Sequence, residues 1–265
     1  MHGLHKYELR AALFATLATA AISIASHANA ATPKGTPRSI VLVHGAFADG
    51  SAWDKVVPML EAKGYNVVAV QQPLTSLKED VAATKRAISE QPGQVILVGH
   101  SYGGVVITEA GNDSKVVGLV YVAAFAPDAG QSANDLAKTA PPPVWLKQMQ
   151  VDEGYGRLPT ETVVMEFAQD LPAAEAKLVA VKQGPINTKN FDEAVKTAAW
   201  RSKPSWYLRA ANDRMIDPAL QATMAKQIKA TTTSLDSSHV PMLSKPKQVA
   251  AVILDAASRA TVASR

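Results

Sequence analysis

The stretch Gln94-Val95-Ile96-Leu97-Val98-Gly99-His100-Ser101-Tyr102-Gly103-Gly104 decides the fold of this chain. Residues 94–98 form a short, mostly apolar and β-branched run, which predicts a buried strand, and residues 105–110 continue as a predicted helix. A strand that enters a helix through Gly-x-Ser-x-Gly leaves the serine on a tight, strained turn, with its hydroxyl clear of both elements. The alternative is a glycine-rich turn with an incidental serine. The presence of a base and an acid that could act with Ser101 distinguishes the two interpretations.

Composition excludes several classes of protein. The chain has 265 residues, enough for one large domain or two small ones, and its 47% hydrophobic content is sufficient for a full core. The formal net charge of +4 is spread along the chain without a lysine or arginine cluster, so we do not expect nucleic-acid binding. The chain has no cysteine, which excludes disulfides, a thiol nucleophile and thiolate metal ligands.

The N-terminus has the pattern of a secretory signal peptide. Lys6 and Arg10 precede an apolar, alanine-rich stretch from 11 to about 25, and Ala28-Asn29-Ala30 follows as a cleavage site. We therefore expect residues 1–30 to be removed on export to the periplasm or the medium, without stable membrane association afterwards. An uncleaved anchor and an incidental extension are the alternatives, but the apolar run is short for a bilayer span.

Beyond the leader, buried strands alternate with helices. The strands are continuous runs of Val, Ile and Leu, which is typical of a parallel sheet covered on both faces. The predicted strands are 39–43, 66–70, 94–98 and 116–125, and the predicted helices between them are 51–63, with Gly64 as C-cap, and 76–90, with Ser76 and Glu79 as a capping box.

The pattern breaks between residues 127 and 203, where no strand is evident. A structureless loop of this length would be unusual in a compact domain, so we expect a helical cap inserted into the sheet domain. The sheet then resumes. The predicted elements are a strand at 206–211, a helix at 218–230, a strand at 231–235 and a helix at 245–259. We predict one α/β domain over 31–265, with a mostly parallel, doubly wound sheet.

Ser101 needs a base, because a serine hydroxyl is a weak nucleophile until its proton is removed. Three histidines follow the leader: His44, His100 and His239. His100 directly precedes the serine, and its side chain should point away from the tip of the turn. His44 ends a buried strand and suits a structural hydrogen-bonding role. His239 lies in a polar loop after the last strand, at the sheet edge that also carries Ser101, so His239 is the predicted base.

The acid that orients this histidine should lie on the same edge. Asp213 directly follows the strand at 206–211 and is our choice. Asp217 is explained as the N-cap of a helix that begins with proline. Asp128, after the preceding strand, is the second candidate, and Asp236 is too close to His239 in sequence to orient its ring. The resulting order of serine, aspartate and histidine is that of the α/β-hydrolase triad.

A developing oxyanion needs two fixed N–H donors. The backbone of Tyr102, directly after the serine, should supply one. The other should come from the turn after the first strand, where Gly45 lets the chain bend. Ala46 is our first choice there and Phe47 the second, whereas the alternative is a plain turn at the end of a strand.

These motifs together resemble the α/β-hydrolase superfamily, and most closely its small bacterial esterase branch, which is related to plant methylesterases and hydroxynitrile lyases. The resemblance covers the chain from about residue 39 to the last helix, except the insertion, which corresponds to the variable cap of that family. The segments that carry it are His44-Gly45-Ala46-Phe47, Trp53, Gly99–Gly104, Asn212-Asp213-Arg214 and Ser238–Pro246.

By position, the resemblance implies Ser101 as nucleophile, His239 as base and Asp213 as the orienting acid, with Ala46 and Tyr102 as oxyanion donors. The lyases of this group have a threonine at the position of Gly45 and a lysine at the position of Val240. Both are absent here, which favours ester hydrolysis.

The cap should lie over Ser101 and line a pocket for substrate. The candidate pocket residues are Phe47, Trp145, Met149 and Phe167, and the alternative is that most of them pack only within the cap. No phosphate-binding loop or metal-ligand spacing occurs in the sequence, so we expect no metal or organic cofactor, and no feature indicates an oligomeric state.

We therefore expect an exported serine carboxylesterase that acts on a small-molecule partner, a small apolar or aromatic ester. Perhydrolase or acyl-transfer chemistry on the same residues is one alternative. A ligand-binding homologue with vestigial catalysis is another.

Overall fold

The computed structural model describes residues 39–260. The predicted leader, 1–30, lies outside the described residues. Within them, the chain forms one main sheet and a smaller one. The strands are β1 Ser39–Val43, β2 Asn66–Val70, β3 Val95–His100, β4 Val116–Val122, β5 Gln150–Asp152, β6 Tyr155–Arg157, β7 Ile186–Asn187, β8 Ser205–Ala210 and β9 Thr231–Leu235.

The main sheet has six strands in the order β2-β1-β3-β4-β8-β9, and every neighbouring pair is parallel. Strands β1, β3 and β4 are buried along their whole length, as their continuous apolar runs predict. Because all six strands run the same way, their carboxyl ends share one edge. The loops that follow β1, β3, β8 and β9 therefore meet there, and they contain all the predicted catalytic residues.

Helices cover both faces of this sheet. Adjacent strand residues point to opposite faces: Leu119 approaches Gly111, at the end of α3, whereas Gly118 approaches Ala260, at the end of α9. The α-helices are α1 Val57–Glu61, α2 Leu77–Glu90, α3 Gly103–Ala110, α4 Ala133–Ala137, α5 Thr160–Thr162, α6 Ala173–Lys182, α7 Pro218–Gln227, α8 Pro241–Ser244 and α9 Pro246–Arg259. In the described part of the chain, none of them has the length and hydropathy needed to cross a membrane.

The prediction of one continuous helix at 51–63 was wrong. The chain instead forms a 3₁₀ turn at Gly50–Trp53 and then the short helix α1. Pro58 lies in the first turn of α1, and a helix running through it would lose one backbone hydrogen bond and meet a steric clash. By contrast, α2 begins at the predicted place, because the Ser76 side chain accepts a hydrogen bond from the backbone N–H of Glu79. Within residues 39–260 the Glu79 side chain makes no return hydrogen bond to Ser76 N, so only half of the predicted capping box forms.

Residues 127–203, the cap segment, add no strand to the main sheet. The cap contains the helices α4, α5 and α6, as expected, and also a small antiparallel sheet of β5, β6 and β7 that the sequence did not predict. These strands have only two or three residues, and the turn between β5 and β6 relies on positive φ angles at Glu153 (+47°) and Gly154 (+83°). Residues 190–200, which belong to the cap that was expected to be helical, form irregular chain with short 3₁₀ turns.

Candidate active site

The turn between β3 and α3 holds Ser101 in a strained conformation. Its φ of +54° lies in the left-handed region that non-glycine residues rarely adopt. Three backbone hydrogen bonds maintain it: the Ser101 N–H donates to Val122 O (3.2 Å), and the Ser101 carbonyl accepts from Gly104 N (3.0 Å) and Phe125 N (3.1 Å). The side chain lies at the carboxyl edge of the sheet, as the motif predicts.

Close backbone packing explains two of the glycines around this turn. A Cβ atom on Gly104 would lie 2.1 Å from the carbonyl oxygen of Phe125, and one on Gly45 would lie 2.6 Å from the Cβ of Ser101. Neither space can admit a side chain without moving the backbone. The loop after β1 therefore lies directly against the serine.

A buried histidine–aspartate pair lies at the same edge. His239 Nδ1 lies 2.7 Å from Asp213 Oδ2, and both side chains are almost fully buried. Because the carboxylate can only accept, His239 Nδ1 carries the proton and Nε2 is the basic nitrogen. The structure thus joins two of the three residues that the sequence predicted to act together.

The Nε2 atom of His239 is buried and has no hydrogen-bond partner among residues 39–260. It therefore makes no hydrogen bond to the Ser101 hydroxyl in this conformation. Hydrogen bonds between a catalytic nucleophile and its base are often long before substrate binds. The loops that carry Ser101 and His239 are neighbours: His100, which precedes Ser101, forms a hydrogen bond to the backbone of His239.

His100 fixes the backbone at His239. Its Nε2–H donates to the His239 carbonyl at 2.8 Å, and the centroids of the two rings are 4.7 Å apart. Burial lowers the pKa of His100 well below its usual value, and the nearby His239 lowers it further, so the ring stays neutral. Phe167 from the cap packs on the His239 ring edge-to-face, with centroids 5.1 Å apart. The core and the cap thus both hold His239 in place.

Sequence reasoning missed Gln221, which orients Asp213. From α7, its Nε2 donates to Asp213 Oδ2 at 2.7 Å and to Ile216 O at 2.9 Å, and its Oε1 accepts from Ala210 N at 3.0 Å. The other carboxylate oxygen accepts from Met215 N (2.7 Å) and Ile216 N (3.0 Å). Its complete burial distinguishes Gln221 from an ordinary surface glutamine, but this burial is visible only in the structure.

The other predicted candidates have different partners. Asp128 pairs with the Arg201 guanidinium, which lowers the pKa of this carboxyl. Asp217 caps α7, since its side chain accepts from the N–H groups of Ala219 and Leu220. Asp236 is exposed. None of the three contacts His239 within the described residues.

The loop after β1 presents free backbone N–H groups. Within residues 39–260, the N–H groups of Ala46, Phe47 and Tyr102 donate to no protein acceptor. Phe47 has a φ of +57°, and His44 stabilises the loop by bonding to Gly45 O through Nδ1–H (2.8 Å) and accepting from Gln72 N at Nε2 (3.1 Å). The predicted donors Ala46 and Tyr102, and the second choice Phe47, are thus all available, and His44 has a structural role.

The candidate pocket residues divide between two cavities. Trp145 and Met149 line the cap cavity, of about 250 Å³, whereas Phe167 lines a second cavity of about 180 Å³, the base-side cavity. Phe47 lines neither, but its ring contacts Trp145, with centroids 5.8 Å apart. Other residues of the cap cavity include Phe125, Phe191, Ile216 and the charged Lys189, Asp192 and Asp217, and those of the base-side cavity include Ala48, His100, Val240 and Leu243. The described residues contain no cluster of three metal-ligand side chains.

A carboxylate is buried behind the turn at Ser101. Asp80, on α2, accepts from Leu74 N at Oδ1 (2.8 Å), and from the Tyr102 hydroxyl (3.0 Å) and Asn190 Nδ2 (3.1 Å) at Oδ2. Burial raises the pKa of Asp80 to about 6 in spite of these hydrogen bonds, and Glu193 adds a small repulsion. This carboxylate is therefore more costly to keep charged in the folded protein than in the unfolded chain.

We predict that Asp80→Asn changes the pH dependence of stability. A raised pKa means that the folded protein binds a proton between about pH 4 and pH 6 that the unfolded chain has released, so Asp80 makes the wild type less stable as pH rises through this range. Relative to Asp80→Asn, the wild type should lose about 2 kcal/mol between pH 4.5 and pH 7.5, which corresponds to roughly 4–8 °C in Tm. Thermal unfolding of the wild type and the variant at pH 4.5 and pH 7.5 measures this change. A difference in Tm between the two proteins that is the same at both pH values would contradict the prediction.

Comparisons with known proteins identify the family of this chain. The model of the alpha/beta hydrolase family matches residues 40–252. A pyrethroid hydrolase of Sphingobium wenxiniae is 30% identical over 249 residues, which cover 83% of this chain and 88% of that protein. Methylesterase 7 of Arabidopsis thaliana is 27% identical over 266 residues, covering 85% of this chain and 98% of the relative.

The fold is shared with solved structures. The crystal structure of a pyrethroid hydrolase from Sphingobium faniae superposes with a TM-score of 0.72 at 26% identity, covering 84% of this chain and 98% of that chain. The relatives are named as hydrolases and esterases, and this chain is a carboxylic ester hydrolase. The fold and the resemblance inferred from the sequence are confirmed: the chain belongs to the alpha/beta hydrolase family.

Proposed function

We propose that this chain is a serine carboxylesterase in which Ser101 is the nucleophile, His239 the general base and Asp213 the acid that orients it. The observation that carries the proposal is the buried 2.7 Å contact between His239 and Asp213, at the sheet edge where Ser101 is held at a φ of +54°. A hydrolase that used only a bound water would not need a strained serine at this position.

The chemistry follows from the protonation states. With Nδ1–H bound to Asp213, His239 Nε2 can accept the Ser101 proton while the serine oxygen attacks the ester carbonyl. The imidazolium that forms is stabilised by the buried carboxylate and then donates its proton to the leaving alcohol. Water repeats the sequence on the acyl-enzyme, so the acid is released and Ser101 is regenerated.

The tetrahedral intermediate needs donors for its negative oxygen. We assign these to the backbone N–H groups of Ala46 and Tyr102, which flank Ser101 and have no protein acceptor among the described residues. Removing one such donor typically costs about 10²–10³-fold in kcat. Both groups belong to the backbone, so their placement depends on the side chains that hold the two loops.

We propose small apolar or aromatic esters as the substrate class. The cap cavity of about 250 Å³ is lined mostly by aromatic and aliphatic side chains, among them Trp145, Phe191 and Met149, and its polar lining residues are Asn134, Thr188, Lys189, Asp192 and Asp217. A mostly apolar pocket of this kind binds its ligand chiefly through apolar contact area, while a few polar groups fix the orientation of the ligand. Of the two relatives, one is named as a hydrolase of pyrethroids and the other as a methylesterase.

The direct test is covalent labelling combined with turnover. A fluorophosphonate probe should modify Ser101 and no other serine, because only an activated hydroxyl attacks the phosphorus rapidly. The purified chain should also hydrolyse p-nitrophenyl butyrate, and prior labelling should abolish this activity in proportion to the modified fraction. Peptide mass mapping and a spectrophotometric assay measure the two effects. Turnover that survives complete labelling would refute the assignment, and absence of both labelling and turnover would refute esterase function.

A further inference from the structure

A hydrogen-bonded network joins the cap segment to the residue after the nucleophile. The Tyr102 hydroxyl donates to Asp80 (3.0 Å) and accepts from Asn190 Nδ2 (3.2 Å), and Asn190 also donates to Asp80 (3.1 Å). All three residues are fully buried. Asn190 belongs to the cap, Asp80 to α2, and Tyr102 to the turn that carries Ser101.

The network has a second connection between the cap and the core. The Leu74 N–H donates to the other Asp80 oxygen at 2.8 Å, and the Leu74 carbonyl accepts from Asn187 N of the cap at 2.9 Å. Asp80 therefore accepts from three donors, and it contacts the cap both directly through Asn190 and indirectly through Leu74. Removing the cap contact would leave charge-assisted hydrogen bonds unmade in a buried place, which is costly.

We propose that Asp80 and Asn190 are positioning residues for the oxyanion hole, acting through the hydroxyl of Tyr102. The proposal rests on the proposed function, in which the Tyr102 N–H stabilises the oxyanion. Because the hydroxyl is fixed at one end of a rigid side chain and the N–H lies at the other, the network restricts the orientation of this peptide group. Catalysis depends strongly on such alignment, since a displacement of about 1 Å can cost 10²-fold in rate.

The network also reaches the proposed substrate pocket. Phe191, next to Asn190, lines the cap cavity and packs edge-to-face on the Tyr102 ring, with centroids 5.9 Å apart. An ester that fills this cavity would press on the short 3₁₀ turn Thr188–Phe191. Contact between this turn and the bound substrate would then reinforce the alignment of the Tyr102 N–H. Part of the binding energy from the pocket would thereby lower the barrier of the chemical step.

The test compares two tyrosine-to-phenylalanine variants. Tyr102→Phe removes the network hydroxyl but keeps the backbone N–H and the ring. Tyr121→Phe is the matched control. Tyr121, on β4, is equally buried, and its replacement removes one hydroxyl contact, to Thr108 at 2.9 Å. We expect Tyr102→Phe to lower kcat for p-nitrophenyl butyrate about tenfold, with KM within about twofold, since the donor is kept but misaligned. Tyr121→Phe should keep the wild-type kcat, and thermal unfolding of both variants separates catalytic from structural effects.

Asn190→Ala provides the second arm. It should lower kcat as Tyr102→Phe does. The double variant that combines the two substitutions should be no slower than either single variant, because both substitutions act through one network. The proposal is overturned if Tyr102→Phe keeps the wild-type kcat, if the Tyr121→Phe control loses kcat equally, or if the two losses multiply. These outcomes are distinct from failure of the proposed function, which would appear as a wild type that neither hydrolyses esters nor is labelled at Ser101.

Discussion

Replacing Ser101 by alanine is expected to lower kcat for p-nitrophenyl butyrate by roughly 10⁴-fold or more, because the acyl-enzyme can no longer form. The fold should tolerate the change. Alanine can adopt the same backbone with about the same strain, and no hydrogen bond within residues 39–260 involves the Ser101 hydroxyl. We therefore expect Tm to stay within a few degrees of the wild type, so that any loss of activity reports on chemistry.

Ser205→Ala is the matched control for this variant. Ser205 is also a buried serine, but it begins β8, at the sheet edge opposite to the candidate site, and its hydroxyl donates only to Lys203 O at 3.3 Å. It should retain the wild-type kcat. Steady-state kinetics at known protein concentration measures both variants, and a Ser101→Ala protein that retains a tenth of the activity would refute the nucleophile assignment.

The main sheet could be predicted because its determinants are local. Runs such as Ser39–Val43 and Val95–His100 are continuous and apolar, and such runs are typical of strands buried on both faces. The cap could not be predicted in the same way. Its strands at Gln150–Asp152 and Tyr155–Arg157 are short and largely exposed, so they have no hydrophobic period, and their pairing depends on a turn at Gly154.

The candidate site shows the same division. Ser101, Asp213 and His239 could be named because each follows a strand whose carboxyl end lies at one edge of a parallel sheet. Their supporting residues could not, because these contacts join distant parts of the chain. Asn190 reaches Asp80 across 110 positions, and His100 reaches the His239 carbonyl across 139. Such pairings depend on how the cap and the loops pack, and no local pattern specifies them.

We expect Asp213→Asn to lower kcat for p-nitrophenyl butyrate by about 10⁴-fold, the loss typical when the acid of such a triad becomes an amide. The network predicts which way the new amide must turn. The backbone N–H groups of Met215 and Ile216 need an oxygen, so the amide NH₂ would occupy the position of Oδ2 and face His239 Nδ1. Imidazole would then carry its proton on Nε2, and it could no longer accept the proton of Ser101.

Gln221 cannot relieve this conflict by turning its own amide. Its Oε1 is held by Ala210 N and its Nε2 by Ile216 O, so its N–H would still point at the amide NH₂ of the Asp213→Asn side chain. We therefore expect a lower Tm as well as the loss of kcat, because two buried donors would face each other. Asp128→Asn is the control, since this carboxylate is the second candidate acid and pairs with Arg201 at the surface. Kinetics and thermal unfolding of both variants decide whether Asp213 or Asp128 is the orienting acid. A wild-type kcat in Asp213→Asn together with a large loss of kcat in Asp128→Asn would transfer this role to Asp128.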